Sequence, residues 1–379
     1  MGDRFVLDVA GLDAVIGALR ARGSRVLGPT VRDGAIVLDE IDSVDDLPAG
    51  WVDVQEPGRY RLERRGDGAR FGWAVGPQSP ARVLHPPRDL VAVAVRTSDG
   101  AWGPAEMAAA PAPVALVGVR PCELAAIEVL DRVFLDPAHP DPGYAARRAG
   151  AVVVAVECGT PAATCFCASV GTGPGIDDIS RADLVLTELV DDAGVRYVAA
   201  AGSEVGAELL AGVAAPLAAP SDVEAAGTVT ATAATRMGRH LDTDGLHELL
   251  LGHPEHPHWD DVAGRCLTCA NCTMVCPTCF CADVVDRTDL AGQRAERWRE
   301  RDSCFGLGFS YVHGGSVRTS ARARYRHWLT HKLASWVDQF DTLGCVGCGR
   351  CITWCPVGID LTVEVAALRE APKPAEAAP

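Results

Sequence analysis

Apolar residues fall in short blocks along the first half of the chain, and their spacing changes from block to block. Positions 12–19 are weakly amphipathic with helical spacing and stop near Gly23, which predicts one early helix. Segments 25–31 and 35–41 alternate or run apolar between Gly- and Pro-rich turns, as strands do. From Val114 to Val119 the run is continuously apolar, the pattern of a strand buried on both faces. Pro121 then suits the first position of a helix, with Leu124, Ile127, Leu130, Val133 and Phe134 at helical spacing and Glu128 and Asp131 between them. Ala151 to Val156 is the next buried strand, so 113–158 reads as a βαβ unit with parallel strands. Two strand-like segments flank Asp191-Asp192-Ala193-Gly194, a hairpin signal, and 199–235 turns Ala- and Gly-rich, read as short helices and a linker. A helix over 244–251 stops at Gly252-His253-Pro254, and a short helix through Trp259, Val262 and Ala263 leads to Cys266. After Gly314-Gly315, the positions Tyr325, Trp328, Leu329, Leu333, Trp336, Val337 and Phe340 mark one face of a long helix.

The composition narrows the setting. With 379 residues, 48% hydrophobic and 22% charged, the chain is folded and long enough for two domains. A net charge of −15 argues against a nucleic-acid partner. No apolar run approaches the roughly 20 residues of a membrane span, so no transmembrane segment is expected. Met1-Gly2-Asp3-Arg4-Phe5 has no basic region followed by an apolar core, so no signal peptide is expected either. The 15 cysteines are clustered and odd in number, which does not fit a secreted disulfide framework. A soluble cytoplasmic protein with reduced thiols is the expectation.

Those cysteines carry the chemistry. Cys266, Cys269, Cys272 and Cys276 before Pro277, and Cys345, Cys348, Cys351 and Cys355 before Pro356, both read C-x-x-C-x-x-C-x-x-x-C-P. This is the ferredoxin run for a pair of [4Fe–4S] clusters, in which the fourth cysteine of each run ligates the other cluster. One cluster is therefore expected on Cys266, Cys269, Cys272 and Cys355, and the second on Cys345, Cys348, Cys351 and Cys276. A zinc-stabilised scaffold is the competing reading, but zinc calls for four thiolates, usually as two C-x-x-C pairs.

The other cysteines suggest more. Cys122 and Cys158 lie just past the C-terminal ends of the two buried strands, the edge where α/β sheets hold ligands. With Cys165 and Cys167 they form a candidate third cluster; the alternative is four buried small hydrophobes. Gly171-Thr172-Gly173-Pro174-Gly175 reads as a turn near cluster sulfurs rather than a phosphate loop. The 68 residues between Cys276 and Cys345 repeat Thr-Cys-Phe-Cys at Thr278-Cys279-Phe280-Cys281 and add Cys304, three candidate ligands left unassigned. This insert is also basic, with nine Lys/Arg from Arg294 to Lys332 against Glu296, Glu300 and Asp302. It reads as a solvated face, as a dock for an acidic partner, or as charge that raises cluster potentials. His247, His253, His256 and His258 are expected to be solvated surface residues rather than a metal site. The expected architecture is an α/β domain over 1–235, then a mainly α-helical ferredoxin-type dicluster domain over 236–370 with an insert at 277–344, and a disordered tail at 371–379.

Several of these stretches resemble one family. The run from Cys266 to Cys281, Asp302 to Phe305, Phe309 to Arg318, Tyr325 to Lys332 and Gly344 to Gly358 resemble the iron–sulfur subunits of cytoplasmic [NiFe] sulfhydrogenases (β) and of anaerobic sulfite reductases (A). Arg120 to Ile127 and Cys165 to Pro174 share the likeness, which spans about residues 113–365; Glu123 departs from it, standing where aspartate is expected. The resemblance implies a non-catalytic electron-transfer subunit. It would work between a FAD- and NAD(P)H-binding reductase subunit and a catalytic subunit carrying [NiFe] or sirohaem, with the β subunit of an NAD(P)-linked hydrogenase as the first expectation.

Overall fold

Four of the apolar runs lie side by side in parallel. In the computed structural model, which describes residues 3–107, 112–192 and 194–370, these are β2 (Arg25–Arg32), β8 (Val114–Val119), β9 (Ala151–Val156) and β10 (Leu184–Asp191). β1 (Phe5–Leu7), β3 (Ala35–Glu40) and β11 (Gly194–Ala201) complete a seven-stranded sheet of order β1-β11-β10-β9-β8-β2-β3. The expected hairpin is the antiparallel β10–β11 pair. The tail at 371–379 lies outside the described residues.

Both faces of the sheet are covered, which is why its strands are apolar throughout. On one face the helices Val9–Ala21 and Glu204–Gly212 bring Leu12, Val15, Ile16, Leu19, Leu209 and Leu210 onto Val117, Val154 and Leu186. On the other, helix Pro121–Phe134 lays Leu124, Ile127 and Leu130 on Leu116, Val153 and Ala155. That helix starts at Pro121, and Glu123 accepts the Arg120 backbone N–H at 3.0 Å, satisfying one of the donors a helix start leaves open. Cys122 is thereby held at the C-terminal edge of β8. The region 199–235, read as short helices and a linker, is the end of β11 followed by two helices, the second 16 residues long (Pro220–Thr235).

Two further antiparallel pieces come from the N-terminal half. The hairpin β4 (Trp51–Glu56) and β5 (Arg59–Arg64) reaches the second cysteine run, where Tyr60 stacks on Trp354 at 5.1 Å. β6 (Arg88–Val95) and β7 (Glu106–Met107) join β12 (Ala282–Thr288) and β13 (Arg294–Arg301) in a four-stranded sheet. One sheet thus contains residues from both sides of position 235, and the insert opens with two strands in a domain expected to be mainly α-helical. β13 escapes a periodicity reading because it is Arg/Glu-rich; it pairs with β6, and its Arg299 binds Asp89 and Asp141 on the facing elements.

A second core gathers the C-terminal half. Trp259, Val262, Tyr325, Trp328, Leu329, Leu333, Ile352, Leu361 and Val365 pack together, with Phe166 inserted from the N-terminal half. The predicted long helix runs from Ala321 to Phe340 but is not uniform. A π-turn over His331–Ser335 separates two α-helical pieces. A π-turn inserts an extra residue and rotates the downstream side chains relative to the upstream ones. Lys332, read as part of a basic outer face, is buried, as is Arg324; Lys332 stands four residues from both Trp328 and Trp336, on the apolar side of the helix.

Candidate metal centre

The first run is shaped by its local backbone. Helix His258–Arg265 ends at Cys266, whose N–H still reaches the Val262 carbonyl at 3.0 Å. Thr268 and Ala270 then take positive φ, which curls the chain into a tight loop before the short helix Asn271–Met274 carrying Cys272. The curl leaves a cavity lined by Cys266, Cys269 and Cys272 and, from the second run, Cys351 and Cys355, with Phe305, Tyr325, Trp328 and Leu361 as its apolar wall. The Tyr325 hydroxyl and the Trp328 indole N–H are buried there without a partner among the described residues. Cys269 is the one exposed cysteine of the fifteen.

The second run is pressed against the Cys-Phe-Cys segment of the N-terminal half. Phe166 N–H donates to Gly347 O at 2.8 Å, and Thr172 Oγ1 donates to Val346 O at 2.8 Å. A Cβ on Gly349 would lie 2.4 Å from the Thr164 carbonyl oxygen, and one on Gly347 would lie 2.6 Å from the Cys167 backbone. Both positions have positive φ, so only glycine fits there without strain. Cys276, the last cysteine of the first run, lies among the second run's Cys345, Cys348 and Cys351, each of which feels its charge. Conversely Cys355 is an electrostatic neighbour of Cys266 and Cys272. Each run's fourth cysteine thus lies beside cysteines of the other run.

Burial governs the thiols. It pushes Cys345 up to about 12 and raises Cys351, Cys272 and Cys266, so these groups are protonated unless a cation binds them. Cys276 goes the other way. The Cys279 thiol donates to it, and the Lys332 ammonium, 3.1 Å from its sulfur, favours the thiolate. Lys332 is itself held well above the ordinary lysine value: burial opposes its charge, and the Cys276, Cys279 and Cys345 sulfurs outweigh that.

The four cysteines of the candidate third group also come together. Cys167 is an electrostatic neighbour of Cys122 and Cys165, and Cys158 is one of Cys165 and Cys167. All four are buried, and Cys348 of the second run adjoins the group. The 171–175 turn packs on them: a Cβ on Gly173 would lie 3.3 Å from the Cys167 sulfur. Cys279, Cys281 and Cys304 gather around Lys332, which is a neighbour of each.

These groups suit clusters better than single ions. Four thiolates on one tetrahedral zinc stand about 3.8 Å apart, given Zn–S bonds of about 2.3 Å. Among the described residues the one set of three or more ligand atoms mutually within 4.8 Å is His258, Asp261 and Glu364, which contains no cysteine. The first cavity offers five cysteines, an apolar wall and two unpartnered donors, the surroundings a sulfur-rich anionic cluster takes up.

The comparisons with known proteins agree with the donor set. A family model for a 4Fe-4S dicluster domain matches residues 265–359. The chain is 34% identical over 249 residues to the sulfhydrogenase 2 β subunit of Pyrococcus furiosus, covering 65% of this chain and 71% of that protein. The chain belongs to the sulfhydrogenase β-subunit family. As a member of it, the protein is an iron–sulfur electron-transfer subunit. No solved structure matches the chain. No helix among the described residues is long and apolar enough to cross a membrane.

Several residues around the sites carry no motif of their own. Arg120 is buried and donates to the carbonyls of Phe71, Trp73 and Ala74, pinning a loop from the first 110 residues against the sheet edge. Arg350, between Cys348 and Cys351, donates to Gly76 O and Gln78 O and pairs with Glu123. An arginine within two residues of a candidate cysteine was the available signal for both. Two expectations need correction. His256 is buried, and His258 pairs with Glu364 at 2.7 Å, so these are structural rather than solvated histidines. The insert's positive charge is largely spent inside the chain: Arg297 on Asp286, Arg299 on Asp89, Arg322 and Arg326 on Glu255, and Arg301 on the carbonyls of Cys276 and Cys279.

Proposed function

We propose that this chain is the β subunit of an NAD(P)-linked [NiFe] hydrogenase, passing electrons between a FAD- and NAD(P)H-binding reductase subunit and the hydrogenase catalytic subunit in the cytoplasm. The observation that carries the reading is the exchange of fourth cysteines between the two runs, Cys355 beside Cys266 and Cys272, and Cys276 beside Cys345. On this reading Cys266, Cys269, Cys272 and Cys355 hold one [4Fe–4S] cluster, and Cys345, Cys348, Cys351 and Cys276 a second. Cys122, Cys158, Cys165 and Cys167 hold a third. The clusters supply one-electron chemistry; the protein supplies thiolates, spacing and charge. Tyr325 and Trp328 present their polar hydrogens to the first group's sulfurs, and Lys332 presents its ammonium to Cys276. The close approach of Gly347 and Gly349 to residues 164–167 keeps the second and third groups adjacent.

The test is anaerobic purification of the tagged chain from its native source. Co-purification of a flavin subunit and a [NiFe] subunit, with hydrogen-dependent NAD(P)+ reduction, supports the assignment. A sirohaem subunit in their place, with sulfite reduction and no hydrogen uptake, refutes it.

A further inference from the structure

The buried Lys332 has no carboxylate partner among the described residues, although burying an ammonium without a counter-charge costs several kcal/mol. Its Nζ donates to Cys276 Sγ at 3.1 Å, to Thr278 Oγ1 at 3.1 Å and to Gly344 O at 3.4 Å. The neighbours that can balance its charge are the sulfurs of Cys276, Cys279 and Cys345. Its backbone is fixed as well, since its carbonyl accepts the Gly344 N–H at 2.8 Å, next to Cys345. The π-turn at His331–Ser335 contains this residue.

We propose that Lys332 is a positioning residue for electron transfer, its buried ammonium raising the reduction potential of the cluster shared by Cys276, Cys345, Cys348 and Cys351 above that of the cluster on Cys266, Cys269, Cys272 and Cys355. This rests on the ligand sets proposed above. An electron added to a thiolate-bound cluster increases its negative charge, so a cation hydrogen-bonded to a ligand sulfur stabilises the reduced state more than the oxidised one. The low-dielectric site enlarges the difference. Among the described residues the first group has no equivalent. The main electrostatic neighbours of Cys266 and Cys272 are other cysteines, and the unpartnered donors in its cavity, Tyr325 and Trp328, are neutral. Arg350 stands near Cys348 too, but Glu123 neutralises it. Arg301 adds a second cation at the Cys276 and Cys279 carbonyls, but it is Lys332 that bonds a ligand sulfur with no carboxylate beside it among the described residues, and it biases where an electron rests along the relay.

The experiment is a redox titration of the anaerobically prepared full-length protein, followed by electron paramagnetic resonance, on wild type, Lys332→Met, Lys332→Gln and Lys332→Arg. Iron and acid-labile sulfide are counted on each sample. The proposal predicts that Lys332→Met keeps its iron while one cluster becomes at least tenfold less reduced at a fixed potential, a fall of at least 59 mV for one electron. Lys332→Arg, which keeps the charge, should stay within that limit. Should the methionine variant lose iron, Lys332→Gln, which keeps a donor without the charge, decides by the same shift. An unshifted midpoint in an iron-replete neutral variant overturns the proposal, as does an equal shift in Lys332→Arg. A wild-type protein without [4Fe–4S] signals would instead overturn the ligand sets themselves.

Discussion

Arg350 and Glu123 form the buried pair that ties the second cysteine run to the sheet, and breaking it should destabilise the whole assembly. The guanidinium is 1% exposed and the carboxylate 7%. Removing one partner of such a pair leaves an uncompensated charge and costs about 3–5 kcal/mol. Arg350→Met also takes the donors from Gly76 O at 2.8 Å and Gln78 O at 2.9 Å, adding about 1 kcal/mol for each carbonyl left unsatisfied. The expected loss is about 5–7 kcal/mol. Glu123→Gln keeps the volume and should cost less, about 3 kcal/mol. In Arg350→Met/Glu123→Gln neither charge is stranded, so the double variant should be about 2–3 kcal/mol better than the sum of the singles. Urea unfolding of anaerobically held wild type and the three variants, followed by tryptophan fluorescence and circular dichroism, gives all four corners of the cycle. Additivity to within about 0.5 kcal/mol would refute the claim that the two residues act as a pair.

Two other substitutions probe separate parts of the molecule. Gly349→Ala places a Cβ 2.4 Å from the Thr164 carbonyl oxygen at a φ of 75°, so the 164–167 segment must separate from the second run. That variant should unfold at least about 2 kcal/mol more easily, and a thermal midpoint equal to wild type would contradict the close approach. His85 is buried with neither ring nitrogen hydrogen-bonded; burial, then Arg299 and Arg301, push its pKa down to about 4 from 6.5. Its folded pKa is lower than its unfolded one, so the unfolded chain binds the extra proton. Its effect is absent above pH 6.5, and stability falls as the pH drops toward about 4, by up to about 1.4 kcal/mol per pH unit. His85→Leu should flatten that slope by about one proton, and an unchanged slope in unfolding measured across this window would disprove it.

How much was legible in the chain depends on how local each signal is. The cysteine runs are local, since ligand spacing is written in a dozen residues, and so are the buried strands and the βαβ unit around Cys122. The exchanged positions of Cys276 and Cys355 come from the run's own logic. Lys332 did not stand out because its charge was counted with a basic outer face, although four residues separate it from both Trp328 and Trp336 and helical spacing puts it on the apolar side. β13 was hidden because its Arg residues are balanced by Asp286 on the neighbouring strand β12 and by Asp89 and Asp141, far back in the chain. The loop held by Arg120 and Arg350 has no pattern of its own; its carbonyls are fixed by cations 46 and 274 residues away. The glycines at 347 and 349 likewise look ordinary until the segment they touch, 164–167, is placed beside them.

The central claim is that these cysteines hold cubane clusters and carry electrons. Its most direct test is iron and acid-labile sulfide per chain in anaerobically purified protein, with serine placed at Cys122, Cys158, Cys165 and Cys167 in a parallel sample. Three clusters predict about twelve irons per wild-type chain, falling to about eight in the serine variant, with matching sulfide. Eight irons in both would remove the third group, and zinc without iron or sulfide would contradict the claim as a whole.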